Sequence, residues 1–387
     1  MRKKTRLIDS GRAGSEHHGV VNPPVYHAST VLFPTLEKLK EASANPFEGV
    51  YYGRFGTPTH FALEKSVAEL EGGYATVTTS SGLAAITTAL LAFLKAGDHL
   101  LMVDSVYGPT RKFCDGVLQN MGVAVEYYDP LIGADIKNLL RDNTRVIFLE
   151  SPGSLSFEVQ DVPAICAIAQ QNGITTLLDN TWATALYFPA FAHGVDVSIH
   201  AATKYIVGHA DAMLGLIVCN ETSYRKVKET AVQLGQTAGP DDVYLGLRGL
   251  RTLELRLKQH AENAQALCEW LTQQPEVERI LYPAWPAFEG HRLWQRDFTG
   301  ACGLFGLVLK SSVTEPALEA MLNDMRHFKM GYSWGGFESL ILPTDPACSR
   351  TATHWQAGPC LRIHAGLEAM EDLIADLQSG FERLRHY

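Results

Sequence analysis

The chain has 387 residues, 46% hydrophobic and 19% charged, with a formal net charge of -9 at pH 7, a length that suggests two or three domains and a large core. No apolar run approaches the roughly 20 residues of a membrane span, and the acidic balance comes without a basic stripe, so we expect a soluble protein with neither membrane nor nucleic acid as partner. The seven cysteines, Cys114, Cys166, Cys219, Cys268, Cys302, Cys348 and Cys360, form no C-x-x-C pair, which points to a reducing cytoplasm with no disulfide frame and no zinc site.

The basic start, Met1 to Arg6, runs into Asp9 and Arg12 rather than an apolar stretch, so no secretion signal is expected. Residues 1–60, rich in Gly, Pro, His and Ser with weak periodicity, predict an extended arm that must lie on something else. From Tyr74 onward, strand-length apolar runs at 75–79, 99–104, 123–128, 145–150, 174–179, 196–200 and 214–219 alternate with helix-length segments. That alternation predicts an α/β large domain with a mostly parallel sheet over 61–250. A helical stretch from Asp241, with Leu245, Leu250, Leu253 and Leu257 at helical spacing, leads into a smaller α+β domain over 251–387. Its expected strands are 304–309 and 361–364, and its expected helices are 314–325 and 370–384.

Ligands of open α/β sheets sit beyond the carboxyl ends of the strands, which directs attention to three places. At Thr78-Thr79-Ser80-Ser81-Gly82-Leu83-Ala84-Ala85 a strand runs into a helix whose free amides and dipole would suit a phosphate, although taken alone the segment reads first as an ordinary serine-capped helix start. Asp179 closes a buried strand, where a carboxylate needs a cation or strong donors unless it merely caps the next turn. Lys204 follows the next strand; alone it reads as a solvated surface lysine. Together the three supply what pyridoxal phosphate (PLP) requires: a Schiff-base amine, a carboxylate for the pyridinium nitrogen and a phosphate cradle.

With these residues in hand, the chain resembles the Cys/Met-metabolism family of PLP-dependent enzymes over nearly its whole length. The blocks that carry the resemblance are Tyr51-Tyr52-Gly53-Arg54-Phe55-Gly56-Thr57-Pro58-Thr59, Leu149-Glu150-Ser151-Pro152-Gly153-Ser154, Ala201-Ala202-Thr203-Lys204-Tyr205-Ile206-Val207-Gly208-His209, Tyr332-Ser333-Trp334-Gly335-Gly336-Phe337-Glu338-Ser339 and Arg362-Ile363-His364-Ala365-Gly366-Leu367-Glu368. The resemblance implies a fold type I, aspartate-aminotransferase-type large domain and a homotetramer built from dimers that share active sites. It further implies that Lys204 carries the cofactor and acts as base, that Asp179 pairs with the pyridinium nitrogen, and that Tyr107 stacks on the ring and serves catalysis. Gly82 and Leu83 amides and the Thr203 hydroxyl would hold the phosphate, and Tyr52 and Arg54 would reach the phosphate of a neighbouring subunit's cofactor. Arg362 would grip the substrate carboxylate as a bidentate fork, helped by Ser333, with Tyr332 and Trp334 lining the substrate pocket. Many relatives have serine where this chain has Ala201, which puts one phosphate hydrogen bond in doubt.

The implied reaction is carbon–sulfur bond cleavage by β-elimination, which needs only the Cα proton removed, whereas γ-chemistry needs a second proton from Cβ. Relatives with γ-chemistry usually resemble Glu-Ser-Leu-Gly-Gly in the loop that reads Tyr332-Ser333-Trp334-Gly335-Gly336 here. The expectation is therefore cleavage of cystathionine to homocysteine, pyruvate and ammonia, with cystine and S-alkyl cysteines as further substrates. A γ-lyase or γ-synthase is the alternative within the family. A non-catalytic binding protein is the alternative outside it, and it would require the loss of a lysine, acid or carboxylate clamp that the chain retains.

Overall fold

In the computed structural model, residues 2–12 and 18–387 are described; Met1 and residues 13–17 of the expected arm lie outside them. Seven strands form the large sheet: β1 (Ala75–Thr79), β2 (His99–Val103), β3 (Ala124–Tyr128), β4 (Thr144–Glu150), β5 (Thr175–Asp179), β6 (Val197–His200) and β7 (Gly215–Cys219), in the order β1-β7-β6-β5-β4-β2-β3. The central pairings are parallel and β7 runs against both of its neighbours. The expected α/β class with a mostly parallel sheet is the fold. Central strands covered on both faces must be apolar throughout, and Val146, Ile147, Phe148, Leu149, Leu177 and Leu178 are all fully buried.

A second sheet in the order β10-β11-β9-β8 comprises β8 (Val277–Leu281), β9 (Leu304–Leu309), β10 (Leu340–Thr344) and β11 (Cys360–His364), all antiparallel. Helices Pro240–Leu250 and Leu253–Leu271 precede it, and we propose the boundary between the two domains at their junction near residue 250. Helices Glu315–Asn323 and Met370–Arg385 stand close to the expected 314–325 and 370–384.

The first 60 residues are less extended than their composition predicts. Helix Lys3–Asp9 is pinned by Arg251, whose Nη1 donates to the carbonyls of Leu7, Ile8 and Ser10 at 2.7–2.9 Å. A second helix, Leu36–Ala44, is capped by the Thr35 hydroxyl and buries none of its residues within this chain.

Asp104, at the end of β2 and fully buried, locks the segment 351–353 onto the large sheet. It accepts from Arg111 Nη2 at 2.7 Å, from the Thr351 and Thr353 amides at 3.0 and 2.8 Å and from the Thr353 hydroxyl at 2.8 Å. These donors outweigh the burial that would raise its pKa and hold it below the usual carboxylate range. Asp104→Ala leaves Arg111 as a buried cation without its partner, and we predict a stability loss of about 3 kcal/mol in urea titration.

Candidate active site

The helix Gly82–Phe93 starts directly behind β1, with the Ser81 hydroxyl accepting from the Ala84 amide at 3.1 Å. The Ala85 amide is taken by the Ser81 carbonyl, so the Gly82 and Leu83 amides stand at the helix mouth without intrahelical acceptors. A Cβ on Gly82 would lie 2.4 Å from Ala201 Cβ. Glycine is therefore required here, and the small Ala201 is the surface against which this turn packs.

That mouth opens into a cavity of about 410 Å³ whose wall includes Gly82, Leu83, Tyr107, Asp179, Thr203 and Lys204 from the large domain. Tyr332, Ser333, Trp334 and Arg362 close it from the other side. Expected residues separated by up to 280 positions are thus brought to one place. Tyr52 and Arg54 are not among them: Tyr52 is half exposed, and Arg54 Nη1 donates to the Val232 carbonyl at 2.5 Å while its guanidinium lies over Phe55.

Lys204 Nζ donates to Ser333 Oγ and lies 5.3 Å from the Trp334 ring centroid. Burial, with the nearby Arg362 charge adding to it, lowers the amine to about 8, with Asp179 pulling the other way. Arg362, on β11, donates through Nη2 to the Ser333 carbonyl at 3.1 Å. Ser333 thus joins both cations, and it does so from a left-handed backbone at φ 80°, a strained conformation for a residue other than glycine. Gly335 lets the same loop lie flat on the lysine, since a Cβ there would sit 3.0 Å from the Lys204 carbonyl carbon.

Asp179 receives the Thr181 hydroxyl at 2.5 Å and the Thr181 amide at 3.0 Å, both on Oδ1. Among the described residues Oδ2 has no hydrogen-bond donor. Burial raises the Asp179 pKa against these donors, so a cationic group in the cavity would be held strongly. Behind it, Glu71 accepts from Asn180, Ser198 and His200 at 2.9, 2.5 and 2.9 Å. Burial disfavours an imidazolium at His200, but the Glu71 carboxylate beside it prevails and raises the His200 pKa. The Thr203 hydroxyl accepts from the Leu214 amide at 2.8 Å and donates to the Leu214 carbonyl at 3.2 Å. To serve a phosphate it must turn its proton away from that longer bond.

Residues 4–382 match the family described as Cys/Met metabolism PLP-dependent enzyme. The chain belongs to this family. It is 45% identical over 387 residues to the cystathionine beta-lyase MetC of Escherichia coli and 43% identical over 387 residues to the cystathionine beta-lyase of Salmonella typhimurium, with 98% of this chain and 98% of each relative covered. The crystal structure of cystathionine gamma synthase from Xanthomonas oryzae pv. oryzae, in complex with aminoacrylate and cysteine, is similar at a TM-score of 0.91 and 30% identity, over 100% of this chain and 99% of that one.

Membership of the family makes pyridoxal phosphate the cofactor, and the cavity fits it. Free amides at a helix mouth suit the phosphate, the open Oδ2 of Asp179 suits a protonated ring nitrogen, and the buried amine of Lys204 suits the aldehyde. Among the described residues no helix is long and apolar enough to cross a membrane. Among the wall residues to which the sequence assigns no role is the acid Glu150, which closes β4 and accepts from the Tyr107 amide at 2.7 Å. The reasoning that singled out Asp179, an acid at the end of a buried strand, applied to Glu150 as well.

Proposed function

We propose that this chain is a PLP-dependent carbon–sulfur β-lyase that cleaves cystathionine to homocysteine, pyruvate and ammonia, with cystine and S-alkyl cysteines as further substrates. The observation that carries this reading is the Lys204 amine donating to Ser333 Oγ, 5.3 Å from the Trp334 ring centroid and in one cavity with Tyr332, Asp179 and Arg362. PLP, when bound, supplies an electron-poor ring that takes up the electron pair left at Cα. Arg362 binds the substrate carboxylate with its planar fork and so presents the Cα–H bond to Lys204. Lys204 Nζ removes that proton, the Cβ–S bond breaks with its electron pair on sulfur, and the resulting ammonium can return the proton to the departing thiolate. The three-carbon remainder leaves as pyruvate and ammonia after hydrolysis. Asp179 would hold the protonated pyridine nitrogen, Gly82, Leu83 and Thr203 would hold the phosphate, and Tyr107 would lie against the ring.

Tyr52 and Arg54 lie away from this chain's own cavity, which supports a role at a neighbouring subunit's site; we propose an active-site-sharing dimer and a homotetramer built from it. The free thiols among the described residues are compatible with a cytoplasmic location. The deciding experiment is incubation with cystathionine and identification of the keto acid. Pyruvate is expected; 2-oxobutanoate would move the chain to the γ-enzymes of the family. Because the base must be unprotonated, kcat should rise with pH through about 8, which a pH–rate profile checks.

A further inference from the structure

Beside Asp179 the sheet presents a second carboxyl group to which the lyase reading gives no task. Glu150 closes β4 as Asp179 closes β5, and the two are register partners on adjacent parallel strands. Their side chains therefore leave the same face, and both reach the cavity wall. Neighbouring strands lie only about 4.8 Å apart, and two carboxyl groups that close, away from bulk water, do not both ionise readily.

Hydrogen bonding distinguishes the pair. Among the described residues, Asp179 Oδ1 takes two donors from Thr181, whereas Glu150 takes one, the Tyr107 amide on Oε2. The groups facing Glu150 are Asp179 from β5 and Tyr107 from the segment after β2, with Lys204 and Arg362 on the cavity wall. Burial first, and the Asp179 charge second, push the Glu150 pKa well above the carboxylate range, and the Tyr107 amide opposes them without prevailing.

We propose that Glu150 stands in the cavity as a neutral carboxylic acid that holds Tyr107 in place, so that the Glu150–Asp179 pair carries one negative charge toward the cofactor's ring nitrogen. Oε2 fixes the Tyr107 amide at the start of the helix Gly108–Phe113, and through it the ring that faces the cavity. Glu150 is a positioning residue. Its neutrality also protects Lys204, since a second carboxylate would raise the amine again and undo the lowering by burial and Arg362.

The catalytic part of this inference rests on the lyase reading; the protonation state does not. Glu150→Gln keeps a neutral side chain with an oxygen acceptor, while Glu150→Ala removes the acceptor. In the holoenzyme, we expect the midpoint of the visible-absorption pH titration in Glu150→Gln to stay within about 0.3 pH of the wild type, since no charge has been removed. Glu150→Gln should also retain about tenfold more of kcat/KM than Glu150→Ala, as one hydrogen-bond acceptor is worth about 1.4 kcal/mol. A midpoint shifted by a full pH unit, or equal losses in both variants, would overturn the proposal.

Thermal unfolding against pH provides a readout that needs no turnover. A carboxyl whose folded pKa is raised binds its proton more tightly in the folded state, so the wild type loses stability as pH rises from the unfolded value, about 4.3, toward the folded one. The glutamine variant lacks this loss. Its melting temperature relative to the wild type should therefore climb between pH 4.5 and neutrality by a few degrees, and a constant difference would count against a neutral Glu150. Failure of the wild type to show a visible band would refute the lyase reading, yet leave this melting comparison decisive for Glu150.

Discussion

Lys204→Ala will reduce turnover at least about 10⁴-fold, the combined scale of losing a positioned base and a covalent anchor. Only the side chain's approach to Ser333 Oγ and its place over Trp334 disappear with it. The chain path is held by other atoms: the Lys204 amide bonds to the Ala201 carbonyl and the Gly208 amide to the Lys204 carbonyl. Circular dichroism should be unchanged and the melting temperature should move by only a few degrees, because a desolvated ammonium contributes little net stability. A small primary amine in the buffer should enter the vacated part of the cavity and restore a fraction of the rate, rising with the concentration of its free base. Wild-type turnover in Lys204→Ala would refute the assignment.

The large sheet was legible because its central strands are buried on both faces, although the edge strand β3 is only partly covered. Each strand from β1 to β7 begins and ends within a residue or two of an apolar run, and the chemistry-bearing residues stand where those runs stop. The small sheet was legible only at its centre. β9 and β11 are its inner strands and read as apolar segments, but β8 and β10 are its edges. β8 carries exposed Glu278 and Arg279, and β10 contains Pro343, which a central strand would not tolerate. The arm misled for a related reason: helix Leu36–Ala44 buries nothing within its own chain, so no apolar stripe facing this chain's core marks it.

The candidate site was legible as residue types but not as a geometry. Nothing in the pattern around Tyr332 to Gly336 predicts that Ser333 would take a left-handed backbone and join Lys204 to Arg362. That arrangement arises when β11 and the Lys204 turn meet across the two domains, with His364 Nε2 lying 3.2 Å from the Gly335 amide and 3.1 Å from the Gly336 carbonyl. Burial holds His364 largely unprotonated, its pKa lowered to about 3, so it is available to accept from that amide and steady the loop.

Arg362→Gln will lower kcat/KM by about 30-fold to several thousandfold, the range set by roughly 2–5 kcal/mol for truncating one partner of a buried charge pair. Most of the loss should fall in KM, since the carboxylate is gripped in the bound substrate and the transition state alike. A second effect separates charge from geometry. The Arg362 guanidinium adds to the lowering of Lys204; removing it raises the amine, so a larger fraction is protonated at neutral pH and the rising limb of the pH–rate profile shifts to higher pH. Arg362→Lys keeps the positive charge but loses the planar fork, so its profile should stay near the wild-type position while KM remains high. A glutamine variant with raised KM and an unmoved profile would leave the carboxylate grip intact but show that burial alone sets the basicity of Lys204.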